Sequence, residues 1–365
     1  MSPRIGILLD QRVLQRALRG RPTIERLSIY RAIALDELGG ELVVFSASGI
    51  NVARRQLVGY VPTAKGWKRV RTAIPPVIHK RVLYRSSAPL RKLYRLRRRG
   101  VVFVNPIKIQ DKRAMNAALA SAPAVSDHIP FTQGYRWERL KAMLASGQSA
   151  ILKPRVGSVG QGIIRAIPVD ARRVQVTAAG NPRVILRSRL RRWLQKRMGA
   201  RRYLLQQYLS LAQYEGKPFD LRVPVQRDES GQWIVPGIVA KVARRHAFLT
   251  NMAQGGRAIP GETAIKAAFP GSEAADVIER VRSLAVAVAR TVARHHPFAA
   301  DMGLDIGVDQ RGKPWLIEVN TRDQRYTFHE AGLDDEFRSL YRNPVMFCAY
   351  LSRIIAAGKD WRPQD

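Results

Sequence analysis

Short apolar runs alternate with amphipathic stretches from the start of the chain. Ile5-Gly6-Ile7-Leu8-Leu9 reads as a strand, residues 24–38 carry helical spacing, and Leu42-Val43-Val44-Phe45, after Gly39-Gly40, reads as a second strand. Strand, helix and strand in that order predict a βαβ opening. Val101-Val102-Phe103-Val104 reads as a buried strand closed by Asn105-Pro106, which puts a first boundary near residue 106. Beyond it the spacing predicts helices over 112–120, 137–144 and 183–196, and strands over 150–154 and 163–169. Strands over 219–226 and 233–242 flank Asp228-Glu229-Ser230-Gly231, a turn composition, and so predict a hairpin. Val277, Val281, Leu284, Val288 and Val292 recur at three- and four-residue steps and mark the longest helix. Three units follow: an N-terminal α/β domain over 1–106, a central subdomain over 107–210 and a C-terminal subdomain over 211–365.

Composition narrows the class. Apolar residues are 46% of the 365 and six are tryptophan, enough for folded cores. Lys and Arg number 63 against 28 Asp and Glu, a net charge of +35, which points to an anionic partner. The excess is not uniform: residues 42–110 hold sixteen Lys and Arg and no acid, and 171–214 hold eleven and none. The single cysteine, Cys348, excludes an internal disulfide and any zinc site built on several thiolates, so a reducing, cytoplasmic compartment is the simplest expectation. The first apolar run ends in Asp10 without a small-residue cleavage site and reads as a strand, not a signal peptide. No apolar run approaches the 18 residues of a membrane span.

Two places carry candidate chemistry. In the first, residues 302–309 and 314–320 read as a hairpin around a four-residue loop. Pairing Asp309 with Pro314 sets Asp305 opposite Glu318, with Asn320 two residues on and on the same face. Two carboxylates and an amide oxygen, without His or Cys, suit a hard cation such as Mg²⁺ shared with phosphate. Leu304, Ile306 and Val308 against Trp315, Ile317 and Val319 then form the core face. A solvent-facing polar row is the other reading, although opposed carboxylates without a cation repel. In the second place, Lys153 precedes Gly157-Ser158-Val159-Gly160-Gln161-Gly162, where glycines let backbone amides approach phosphate. The loop joins two strands and opens no helix, so it is neither a Walker A loop nor a dinucleotide fingerprint; a plain turn remains the alternative.

Together these residues resemble the ATP-grasp superfamily, over about residues 110–350. Within it the chain is most similar to the YheC/YheD group, known as endospore coat-associated. The ordered series that carries this is the Gln206-Gln207 hinge, Phe219-Asp220-Leu221-Arg222-Val223, the turn with Trp233, and Leu249-Thr250-Asn251-Met252-Ala253-Gln254-Gly255-Gly256. The resemblance implies an α/β and α+β chain: an ATP-grasp fold behind a Rossmann-like pre-ATP-grasp domain. It implies ATP and Mg²⁺ as cofactors, with Lys112 and Lys153 on the α and β phosphates and Gly157, Ser158, Gly160 and Gly162 in the flexible loop. Gln206, Gln207 and Tyr208 would lie on the adenine, and Asp305, Glu318 and Asn320 on the metal. It implies a carboxylate–amine ligase working through an acyl phosphate on an amino acid or acidic peptide. Arg222 would then steady the acyl phosphate, and Lys241 and Asn251 the γ-phosphate or substrate carboxylate. Where the pattern leads one to expect a ribose-binding glutamate and a second arginine, this chain has glutamine and Lys241. It also implies association with the developing spore. The alternative is a non-catalytic coat or polymer-binding protein that holds nucleic acid or another anionic polymer on the same scaffold.

Overall fold

The computed structural model describes residues 4–84, 86–106, 118–155, 162–244, 255–359 and 361. In the N-terminal domain four short strands run parallel in the order Leu42–Phe45, Ile5–Leu8, Val77–Lys80 and Val102–Val104. Three of them are buried along their whole length; Ile5–Leu8 and Leu42–Phe45 accordingly read as apolar runs, whereas Val77–Lys80 carries His79 and Lys80 and did not. The helical pattern over 24–38 is realised as Leu27–Glu37. A second helix, Gln11–Leu18, precedes it and is capped by Asp10, whose carboxylate accepts from the Arg12 and Val13 amides. The hairpin Gln56–Thr63 and Gly66–Ala73 adds an antiparallel flank that the arginine-rich sequence did not announce.

The central sheet has six antiparallel strands in the order Asn181–Leu186, Arg173–Ala178, Ile164–Pro168, Ala150–Pro154, Tyr203–Gln207 and Thr132–Gly134. Helices Trp137–Ala145 and Arg187–Met198 cover one face with Leu140, Leu144, Leu190 and Leu194. The expected helix over 183–196 thus begins four residues late. Val184-Ile185-Leu186 instead pairs as a strand, after a turn in which Ala179 and Gly180 both take positive φ.

The C-terminal sheet runs Arg257–Pro260, Val239–Val242, Lys217–Arg227, Asp301–Val308 and Pro314–Asn320, with the long helix Glu273–His295 packed behind it. The strand expected over 233–242 is split: Trp233–Ile234 pairs with Gln226 and Arg227, and Val239–Val242 with Phe219 to Arg222. Pro236 lacks a ladder donor, and a Cβ on Gly237 would stand 2.9 Å from Glu336 Cγ, so the chain steps between the two pairings here. Among the described residues no helix is long and apolar enough to cross a membrane.

The last long helix, Asp334–Ala356, returns to the N-terminal sheet, and Tyr341, Phe347 and Leu351 share a core with Ile5, Ile7 and Tyr30. A buried polar network reinforces this seam. Asp301 Oδ2 accepts from Arg81 Nη1 at 2.8 Å and Arg325 Nη2 at 2.7 Å, and Oδ1 accepts from Gln226 Nε2 at 2.8 Å. Arg81 Nε donates to Glu25 Oε1 at 3.0 Å, and Asn105 Oδ1 accepts from the Ala300 and Asp301 amides at 2.8 and 3.0 Å. Burial alone would raise the Asp301 carboxyl, but the Arg325 and Arg81 guanidiniums outweigh it and hold it at about 2. Burial drives His79, 3.6 Å from the same carboxylate, down to about 3, so its imidazole is neutral.

Replacing Asp301 with Ala leaves two buried guanidiniums short of their anion and should cost about 3–5 kcal/mol. Because its folded pKa lies below the usual 3.8, the carboxylate stabilises above that value and the gain fades as pH falls towards 2. Urea unfolding of wild type and Asp301→Ala should therefore differ widely at pH 7 and narrowly near pH 2.5; an equal gap at both would contradict the assignment.

Candidate active site

Alternation along Lys217–Arg227 builds the site. Phe219, Leu221 and Val223 point into the helix-backed core, so Asp220 and Arg222 share the opposite face. Cross-strand register then fixes their neighbours: Lys241 stands opposite Asp220, Asp305 opposite Arg222, and Glu318 opposite Asp305. The result is a cluster of charges across four strands, with the cations Lys241 and Arg222 on one side of Asp305 and Glu318 on the other. Lys241 Nζ lies 2.7 Å from Asp305 Oδ1 and 3.0 Å from Asp220 Oδ1, and Arg222 Nη1 lies 3.3 Å from Asp305 Oδ1. Burial would raise the Asp305 carboxyl, but Arg222 and Lys241 together hold it below the usual aspartate value. Burial would likewise lower Lys241, yet Asp220 and Asp305 keep it raised and charged.

The expected pairing of Asp305 with Glu318 is present, and Asn320 joins it, its Nδ2 donating to Asp305 Oδ2 at 3.2 Å. The register beyond is corrected. Val308 and not Asp309 opposes Pro314, and a bulge after Asp305 makes Ile306 oppose Leu316, so Leu316 and not Trp315 or Ile317 enters the core, with Ile317 the extra residue. Trp315 turns to the other face, where its Nε1 donates to Asp309 Oδ2 at 2.9 Å.

Three participants were not anticipated. Asp220 was legible in principle, being two residues from Arg222 on a strand. Asp323 was not: it is 1% exposed, lies over Gly303, where a Cβ would meet its Oδ1 at 2.5 Å, and stands 3.8 Å from Arg222 Nε. Burial raises its carboxyl, and neither oxygen has a hydrogen bond among the described residues. Arg81 is the third; its Nη2 donates to the Asp323 carbonyl at 2.7 Å, which ties the Asp301 network to the charge row.

A family model for YheC/D-like ATP-grasp proteins matches residues 100–351. The chain belongs to the YheC/D-like ATP-grasp family. Endospore coat-associated protein YheD of Bacillus subtilis (strain 168) is 24% identical over 332 residues, covering 87% of this chain and 72% of YheD. Endospore coat-associated protein YheC of the same strain is 22% identical over 302 residues, covering 80% of this chain and 82% of YheC. Among solved structures, the ATP-grasp ligase PsnB complexed with minimal precursor matches with a TM-score of 0.53 and 17% identity, over 98% of this chain and 99% of PsnB, a likeness of fold.

Of the other residues singled out for this ATP-grasp chain, Lys153, Gln206 and Gln207 lie on strands of the central sheet, and Gly162 and Tyr208 lie beside them. Lys153 is buried on Ala150–Pro154 opposite Leu204. Gln206 is buried and its Nε2 donates to Thr132 Oγ1 at 2.8 Å, Gln207 is exposed, and Tyr208 lies beneath the Arg165 guanidinium, 5.7 Å from the ring centre. Gly162 takes φ +76, and its carbonyl accepts from Tyr203 Oη at 2.9 Å, which pins the end of the glycine-rich segment to the sheet. Lys112, Gly157, Ser158, Gly160 and Asn251 lie outside the described residues.

Among the described residues no group of three His, Cys, Asp or Glu could hold a metal. The all-oxygen set here is instead two carboxylates, Asp305 and Glu318, with the Asn320 amide, a donor set that suits a magnesium ion retaining waters and phosphate oxygens.

The row also makes a stability prediction. Lys241→Met should destabilise by about 3–5 kcal/mol, because Asp220 and Asp305 then face each other without their shared cation. Adding Asp220→Leu should recover part of that loss, giving a coupling of about 0.5–3 kcal/mol in a double-mutant cycle. Additive penalties by urea unfolding would show that the three groups do not act together.

Proposed function

We propose that this chain is an ATP- and Mg²⁺-dependent carboxylate–amine ligase that forms an amide or peptide bond on an amino acid or acidic peptide. The observation that carries this reading is the buried row in which Arg222 and Lys241 reach Asp305, with Glu318 and Asn320 beside it. In the first step a substrate carboxylate oxygen attacks the γ-phosphorus of ATP, the bond to the bridging oxygen breaks, and ADP leaves. In the second, the acceptor nitrogen attacks the acyl carbon, the carbon–oxygen bond to phosphate breaks, and the nitrogen loses its proton to solvent.

Most of what the protein supplies is placement and charge compensation. Arg222 would steady the acyl phosphate, with Asp323 and Asp305 fixing its guanidinium. Lys241 and Asn251 would hold the γ-phosphate or substrate carboxylate. Lys153 and Lys112 would take the α and β phosphates, the loop residues Gly157, Ser158, Gly160 and Gly162 would close over them, and Gln206, Gln207 and Tyr208 would bound the adenine. Asp305, Glu318 and Asn320 would hold magnesium, which when bound neutralises phosphate charge. PsnB is an ATP-grasp ligase whose structure is complexed with minimal precursor, which supports a ligase reading here. The relatives' names support a role at the spore coat.

Supplied with ATP, Mg²⁺ and a panel of amino acids and acidic peptides, the wild type should release ADP and phosphate with the right pair. Asp305→Ala and Glu318→Ala should each lower that rate on the order of 10²-fold or more. Unchanged turnover in both variants would overturn the reading.

A further inference from the structure

We propose that the open edge of the central sheet is the docking site for an extended acidic peptide in which acidic and apolar residues alternate. The edge strand Asn181–Leu186 pairs on one side only among the described residues, with Arg173–Ala178. The two-residue turn between them, with φ of 51° at Ala179 and 79° at Gly180, makes Ala178 and Asn181 the hydrogen-bonded pair that closes the hairpin. Alternate pairs follow, so Arg183 and Ile185 bond inward, and the main-chain groups of Val184 face the open side.

The two faces of this edge differ in chemistry. Val184 and Leu186, 54% and 44% exposed, stand on the same face of the sheet as Arg165 and Lys153. Arg183 is exposed and projects to the other face, the one covered by helix Arg187–Met198, whose outer surface carries Arg189, Arg192 and Lys196. Residues 183–202 hold nine lysines and arginines and no acid, and none of the nine forms an ion pair among the described residues. A strand added here would meet aliphatic side chains on one face and guanidiniums on the other, which is the period-two pattern of a peptide alternating acidic and apolar residues. Main-chain hydrogen bonds would supply affinity and the alternation specificity.

A nucleic acid satisfies this surface less well. It offers no peptide groups to the strand edge, and the neighbouring Trp137 and Trp193 each already carry a guanidinium over the ring, Arg191 and Arg197 at 5.9 and 5.0 Å from the ring centres. As an anchor for substrate the site rests on the ligase reading, but it is tested without ATP, so either can fail alone.

The test is fluorescence anisotropy on the full chain with a labelled ten-residue peptide alternating Glu and Val. Two further forms carry N-methyl groups on all the Glu or all the Val amides, and a single-stranded RNA of equal charge is the fourth probe. The plain peptide should bind, and one methylated form should bind at least tenfold more weakly than the other, since only one set of amides faces the edge. Val184→Pro, which removes one outward donor and no hairpin bond, and Arg183→Glu should each weaken the plain peptide about tenfold. Equal affinity of the two methylated forms, tighter binding of the RNA, or no peptide binding would each overturn the proposal.

Discussion

The arrangement depends on keeping the Asp305 carboxylate ionised inside the sheet. Removing a carboxylate from water is costly, and Asp305 is tolerated at 9% exposure only because Arg222 reaches it from the adjacent strand and Lys241 from the strand beyond. That condition fixes geometry as well as charge. A one-residue slip of Asp301–Val308 would carry Asp305 into the hydrocarbon behind the sheet and bring Leu304 or Ile306 out, so the buried faces of the strands specify the polar row. The core and the candidate active site are thus two sides of one register.

The N-terminal domain is tied into the same balance. Asp301 starts the strand that ends beyond Asp305, and its anion is compensated by Arg81 from the N-terminal domain and Arg325 from the segment after Asn320. Arg81 also holds the Asp323 carbonyl, and the Asp323 carboxylate faces Arg222. Asp323 thus stands between Arg81 of the N-terminal domain and Arg222 of the candidate site.

What the sequence could disclose follows from how local each feature is. Arg222 was legible because alternation places it, whereas the opposition of Asp305 and Glu318 was not set by the loop: Val308 opposes Pro314 there, and only the bulge at Ile317 restores the expected pair. The bulge at Ile317 was not legible: nothing around it marks an extra residue, and it exchanged Leu316 for its neighbours in the core. The split at Pro236-Gly237 was signalled by its composition but overridden by the apolar run on either side. Contacts distant in sequence were beyond reach: Arg81 and Asp301 lie 220 residues apart, and Arg81 and Asp323 lie 242 apart. The +35 charge gives an expectation of an anionic partner and no position for it; the structure sets an unpaired share of that charge beside a strand edge.

The central claim is that Asp305, Glu318 and Asn320 hold a divalent cation together with nucleotide, and substituting Mn²⁺ for Mg²⁺ makes this directly observable. Electron paramagnetic resonance of Mn²⁺ titrated with ADP should show the free-ion signal lost in proportion to wild-type protein. The signal should persist with Asp305→Asn, which keeps the side chain's shape and removes its charge. Equal quenching by wild type and variant would place the cation elsewhere and contradict the account.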